Sequence, residues 1–304
     1  MRIAAALLAA IPCIASEECQ ACHPAQFQKH AATKHSRSLT PVIETDFFRQ
    51  LPAGPIGEAR GGFYLSYERD GNTLRVTAQR GAERAAGVIE WTFGAGVQAL
   101  TPLVRVGERY FEHRLSYYAR PKRYGLTLGH EPGVSATAET ALGVEQAPRK
   151  VAACFGCHAS ARGPEVVSAG VGCLHCHAGS EDHARSKGAI AARNPRHLSA
   201  RAEVALCATC HRSSPPVSEG DPLNVRFQPL RMVKSRCYIR GNLRCGSCHG
   251  AHQDLQRDAG HYRRACLSCH PTQSAKGNCV ECHMPASSPA PYLSFTDHFI
   301  RKTP

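Results

Sequence analysis

Apolar and polar positions alternate across residues 63–79, FYLSYERDGNTLRVTAQ, on both sides of Asp70-Gly71-Asn72. Alternation with period two buries one face of a strand, and a glycine-asparagine pair between two such runs marks a hairpin. VIEWTF (88–93), LTPLVRV (100–106) and RYFEHRLSYY (109–118) read as further strands. A small antiparallel β module is therefore expected in the N-terminal half, over residues 61–150. Phe111, His113, Leu115 and Tyr117 share a face of its last strand, and Trp91 is expected in the core.

Outside the module the pattern changes. AQFQKHAATKHSRS (25–38) and SARAEVALCATCH (199–211) read as helical, and Ser213-Ser214-Pro215-Pro216 reads as an exposed loop. One apolar run, Ile3 to Ile14, follows Arg2 and precedes Ala15 and Ser16. It is too short to span a bilayer and reads as a secretory signal cleaved near Ser16. Residues 1–16 are thus expected to be removed. The mature chain is expected to be exported, periplasmic or extracellular, without a transmembrane segment.

Cysteine spacing supplies the chemistry. Of 16 cysteines, fourteen fall in seven C-x-x-C-H frames: CQACH (19–23), CFGCH (154–158), CLHCH (173–177), CATCH (207–211), CGSCH (245–249), CLSCH (266–270) and CVECH (279–283). Cys13 lies in the signal, and Cys237 is expected to be a buried, inert thiol. C-x-x-C-H is the attachment signature of haem c. On a helical turn, residues i and i+3 share a face, so both thiols reach the vinyl groups along one porphyrin edge while the next histidine ligates iron. The cofactor-binding pairs are then Cys19/Cys22, Cys154/Cys157, Cys173/Cys176, Cys207/Cys210, Cys245/Cys248, Cys266/Cys269 and Cys279/Cys282. The proximal ligands are His23, His158, His177, His211, His249, His270 and His283. Zinc and disulfides are the rivals. Neither requires a histidine after each pair, and an odd number of pairs cannot be matched two by two for zinc.

Seven covalent haems revise the charge argument. The formal net charge of +13 would suggest nucleic acid or an anionic membrane. Each ferric bis-histidine haem brings about −1, so loss of Arg2 and gain of seven haems leaves roughly +5. The basic residues then read as partners of haem propionates, and no nucleic acid is expected.

Ten histidines remain for the sixth positions, against three methionines: Met1, Met232 and Met284. Met1 is in the signal, and Met284 adjoins His283, so most or all haems are expected to be bis-histidine and low in potential. His252 and His183 follow their own motifs too closely and should serve neighbouring haems. His298 ends a tail that returns after PASSPAP (285–291). His35, or His30, follows the first motif; His197 and His261 precede motifs. His113 and His130 lie in the middle segment, and His113 can face a core or a haem. The expected distal set is His35, His130, His183, His197, His252, His261 and His298. His175 is a spacer aimed away from its own ring.

Residues 154–283 carry six of the seven motifs. So little chain per cofactor cannot build an ordinary core, so porphyrins must be the core and folding should depend on them. The fold class expected is a multihaem cytochrome c, short helices and loops wrapped around packed haems, plus the β module. The divisions are a first haem segment (17–60), the module (61–150) and a six-haem domain (151–304).

ECQACHPAQFQKHAATKHSRS (18–38) resembles the N-terminal motif of the tetrahaem cytochrome c family of ammonia oxidisers. IEWTFGAGVQALT (89–101), FEHRLSYYARPKRYGLTLGH (111–130), VGCLHCHAGSEDH (171–183), LRCGSCHGAH (243–252) and CVECHMP (279–285) are similar to multihaem cytochromes with doubled C-x-x-C-H motifs. The resemblance covers most of the mature chain and implies His183, His252 and His298 as distal ligands.

Two functions follow. Closed bis-histidine haems would pass single electrons between redox partner proteins, either other cytochromes or a membrane quinol-linked donor. Alternatively, one open haem would make an oxidoreductase for hydroxylamine or a small nitrogen or sulfur oxyanion. No C-x-x-C-K variant occurs.

Overall fold

The computed structural model describes residues 19–58, 62–162, 165–211, 221–273 and 277–302. The signal expected at 1–16 and the loop at 213–216 lie outside the described residues. Among those described, no helix is long and apolar enough to cross a membrane.

The alternating segments form one curled, fully antiparallel sheet. Its strands are β1 (Leu39–Pro41), β2 (Ile56–Gly57), β3 (Tyr64–Asp70), β4 (Thr73–Arg80), β5 (Glu83–Phe93), β6 (Ala99–Val106), β7 (Arg109–His113), β8 (Leu115–Tyr118), β9 (Arg123–Leu126) and β10 (Gly143–Gln146). The main path runs β10-β7-β6-β5-β4-β3-β2; β1 pairs with β5, and β8 joins β6 to β9. β1 and β2 show that the sheet also recruits chain upstream of residue 61. The predicted hairpin closes at Asp70↔Thr73, with Gly71 in the left-handed region at φ 58°, where a residue without Cβ carries no steric cost.

The segment read as one strand, 109–118, divides at Arg114. β7 pairs with β6 and β10, whereas β8 pairs with the far end of β6 and with β9. The Arg114 guanidinium turns onto Glu58 at 2.7 Å, both side chains being nearly buried. Glu58 also accepts hydrogen bonds from Phe63 N and from Ser135 N and Oγ. Burial alone would raise the Glu58 carboxyl, but the Ser135, Phe63 and Arg114 donors hold it below its ordinary value.

Alternation sorts the two sheet faces. One packs Leu65, Leu74, Val76, Ile89, Val104 and Phe111 against Phe47 and the short helix Ala138–Leu142. The other packs Leu39 and Leu103, with Trp91, Phe93 and Tyr110 partly buried, against Val151 and Phe155. These last two lie on the helix Pro148–His158, which ends in the second motif. The sheet thus seats CFGCH on its second face. Both hydrophobic clusters among the described residues draw on residues 39–166; downstream of them, short helices and 3₁₀ turns dominate.

His113 faces this core, not a motif. Its Nδ1 lies 2.6 Å from Leu142 O, so Nδ1–H donates there, and Nε2 accepts from the Tyr67 hydroxyl at 2.7 Å. Both nitrogens are occupied. Burial lowers its pKa to about 4, against an ordinary value of about 6.5. Between those values the unfolded chain binds a proton that the folded chain excludes. The stabilisation is complete above about pH 6.5 and is lost as pH falls toward 4, about 3 kcal/mol for such a shift. Urea midpoints measured across pH 7 to 4 should therefore fall more steeply for the parent than for His113→Gln; parallel curves would contradict this.

Candidate haem-ligating site

Each motif winds as one helical turn. In four of them the histidine N–H donates to the first cysteine's carbonyl: His23 to Cys19 at 2.9 Å, and His177 to Cys173, His249 to Cys245 and His270 to Cys266 at 3.0 Å. The other three motifs end the helices Pro148–His158, Ala200–His211 and Cys279–His283. Both thiols of every pair are therefore presented on one face.

The chain does not enclose the pairs equally. Cys22, Cys269 and Cys282 are exposed, whereas the other eleven motif cysteines are half-buried. The three are the second cysteines of the first, sixth and seventh motifs. The helices that follow or carry these motifs, Pro24–Ala31, Ala259–Leu267 and Cys279–His283, bury no residue of their own. Cys22, Cys269 and Cys282 thus keep the expected spacing but are exposed in the chain.

The first motif leads into the helix Pro24–Ala31, which opens on a proline whose missing N–H costs nothing there. The helix stops before His35, short of the expected Ser38. Ser36 Oγ donates to Ala31 O and Thr33 O at 2.8 and 2.9 Å, and Ser38 Oγ to His35 O at 2.8 Å. Such local hydroxyl bonds compete with a helical ladder, so His35 sits in a compact turn.

Four motif histidines have a second imidazole opposite them. Ring centroids are 6.0 Å apart for His23–His183, His35–His211 and His177–His252, and 6.2 Å for His249–His298. A metal–imidazole bond of about 2.0 Å, plus about 1.1 Å from nitrogen to ring centre, puts two imidazoles on one metal about 6 Å apart. The observed separations fit an iron between each pair. Interplanar angles run from 16° to 74°, and axial ligation imposes no single angle.

Backbone carbonyls orient these rings. Nδ1 of His158 donates to Ser38 O at 2.9 Å, His177 to Arg193 O at 3.0 Å and His183 to Ile190 O at 2.8 Å. His283 donates to Arg301 O at 2.9 Å and His298 to Thr296 O at 3.0 Å. An Nδ1–H so engaged fixes the tautomer and leaves Nε2 to a metal. Burial, and then the neighbouring His298, lowers His249 to about 4, keeping it in the neutral form that iron ligation needs.

The remaining candidates lie elsewhere. His130 is buried in the β module, its Nε2 3.4 Å from Glu112 and its Nδ1 unpartnered. His197 is exposed on a 3₁₀ turn. His261 Nε2 donates to Cys248 O at 3.0 Å. His30, placed second to His35 from sequence, lies edge-on to His252 at 6.4 Å, and His175 keeps a buried, unpartnered Nδ1. Among the described residues, which include every histidine, no imidazole stands opposite His158, His270 or His283 at a comparable distance. His158 instead meets the edge of Phe93 at 5.3 Å.

The motifs also touch through sulfur. Cys157 contacts Cys210, Cys207 contacts Cys245, and Cys266 contacts Cys279. Burial keeps Cys157 and Cys266 as neutral thiols, pushed up to about 11. No disulfide joins the described cysteines. Among the described residues, no three or more His, Cys, Asp or Glu side chains are grouped to hold a bare metal ion. Cys237, expected to be buried, is half-buried near Cys248 and Cys266.

No protein-family model and no curated protein sequence matches the chain. Among solved structures it is similar to the outer cell wall cytochrome OcwA, with 14% identity over 65% of this chain and 37% of that one, at a TM-score of 0.40. It is also similar to the undecahaem cytochrome from the S-layer of Carboxydothermus ferrireducens, with 13% identity over 90% of this chain and 45% of that one, at a TM-score of 0.46. The chain spans less than half the length of either.

Proposed function

We propose that the chain is an exported heptahaem c-type cytochrome that passes single electrons between redox partners. The observation carrying this reading is the set of four imidazole pairs, each joining one C-x-x-C-H histidine to a histidine outside the motifs. When bound, haem supplies the one-electron centre; the chain supplies two thioether anchors, axial imidazoles, spacing and burial. His183, His35, His252 and His298 are assigned as distal ligands opposite His23, His211, His177 and His249. Sulfur contacts between motifs, Cys157 with Cys210, Cys207 with Cys245 and Cys266 with Cys279, support close packing of the centres. The exposed thiols of Cys22, Cys269 and Cys282 are assigned to haems with an edge at the surface, where electrons enter and leave. The purified protein should gain the mass of seven haems and stain for covalent haem. A bare polypeptide mass would end this reading.

The unmatched rings of His158, His270 and His283 support a second reading, in which one iron is open to a small nitrogen or sulfur substrate. Electron paramagnetic resonance of the oxidised protein separates the two. Entirely low-spin iron fits a carrier, and a high-spin signal that shifts on adding nitrite or hydroxylamine fits an oxidoreductase.

A further inference from the structure

The C-terminal strap 292–301 crosses from the β sheet to the motifs and is pinned along its length. The Gln98 side chain brackets Ser294, donating to its carbonyl at 2.5 Å and accepting from its N–H at 3.1 Å. Asp297 is 3% exposed. Its carboxylate receives Arg231 Nε at 2.9 Å and Nη2 at 2.7 Å, Phe299 N at 2.9 Å and Arg301 Nη2 at 3.3 Å. Burial alone would raise this carboxyl, but the Arg231 fork and the other donors hold it below its ordinary value. Fully buried Ser235 closes the clamp: its hydroxyl donates to His298 O at 3.2 Å and accepts from Ile300 N at 2.8 Å.

Two imidazoles depend on this clamp. His298, the residue after Asp297, stands opposite His249 at 6.2 Å. Four residues on from Asp297, Arg301 N–H donates to His283 O at 3.0 Å, and Arg301 O accepts His283 Nδ1–H at 2.9 Å. The strap therefore sets one ring beside the fifth motif and orients the proximal ring of the seventh. A bidentate arginine–carboxylate pair gives more directional hold than a point charge.

We propose that Asp297 is a positioning residue for two irons at once, those ligated by His249 and by His283. The inference rests on the bis-imidazole reading above. Removing its charge loosens His298 from one iron and the carbonyl from the imidazole of another. It also removes a negative charge that stabilises ferric iron.

The test is Asp297→Asn in the haem-loaded protein, followed by magnetic resonance and a potentiometric titration. Two of the seven centres should change: one gains high-spin character, and the potentials of both move upward. The other five keep their signals. Asp297→Glu, which retains the charge and the fork, should restore the low-spin signal. Arg231→Lys, which keeps charge but loses the bidentate geometry, should reproduce a weaker form of the same two-centre change if Asp297→Asn does not accumulate. An unchanged spectrum and titration in a haem-loaded Asp297→Asn protein would overturn the inference alone. So would a uniform change at all seven centres. A parent protein without haem would instead overturn the cytochrome reading beneath it.

Discussion

Replacing Cys207 and Cys210 together with serine should leave the region downstream of the β module without a stable fold, rather than merely one cofactor short. CATCH is the hub of the motif packing. Cys207 touches Cys245 and Cys210 touches Cys157, while His211 stands opposite His35 from the first haem segment. Burial and the nearby Cys207 and Cys210 push Cys176 of a further motif up to about 11. The helix Ala200–His211 buries only Ala200, Glu203 and Val204, and both hydrophobic clusters lie upstream of it. One of those buried groups is charged: Glu203 accepts from Gly246 N at 2.6 Å and pairs with Arg244 at 3.2 Å. On the haem reading proposed above, such a region would gain its order from the cofactor it wraps, as small metal domains do. The double variant should yield little soluble haem protein, and what is recovered should be protease-sensitive downstream of the β module. A six-haem protein with the parent melting temperature and protease resistance would show that the motifs fold independently of one another.

What the sequence made legible follows from the range of each interaction. The β3–β4 hairpin rests on period-two alternation and a two-residue turn, both local, and it forms at the expected residues. The division of 109–118 depends on Glu58, far away in the chain, so no pattern within the segment announces it. The motif turns are likewise local. Their enclosure is not: spacing alone makes Cys22, Cys269 and Cys282 equivalent to the other motif cysteines, yet these three are exposed. Their imidazole partners are not local either: His23 meets His183, and His35 meets His211. Composition shows ten histidines beyond the seven in the motifs, but the pairings are tertiary facts. His35, His183, His252 and His298 stand opposite a motif histidine, whereas His130, His197 and His261 do not. The reading of the latter three rests on proximity to a motif or on position in the middle segment. Neither criterion carries information about which way a ring faces. The Asp297 clamp has a weak signal in sequence, an acid directly before a tail histidine, but its partner Arg231 lies on the helix Gln228–Met232, far away in the chain.

Gly170→Ala is expected to cost the protein an axial ligand without touching one. Gly170 has φ 79°, a region where a side chain carries about 1–2 kcal/mol of strain. A Cβ there would also press onto the carbonyl of Ser36, well inside van der Waals contact, with only backbone in its way. Backbone cannot yield by changing rotamer, so the turn 33–38 must move. That turn is also held to the residue after Gly170, Val171 N–H donating to His35 O at 2.9 Å. It presents His35 to His211, and its Ser38 carbonyl accepts His158 Nδ1–H at 2.9 Å. Displacing it therefore withdraws one imidazole and frees the tautomer of another. The variant should melt several degrees below the parent. On the reading that His35 and His211 share an iron, it should also lose one low-spin centre, because the His35 ring no longer stands opposite His211. His35→Ala separates the two effects, since it deletes the ring but leaves the backbone contact. It should show the same spectral loss with a smaller drop in melting temperature. A Gly170→Ala protein with the parent's low-spin spectrum would mean that the turn 33–38 does not set this ligand.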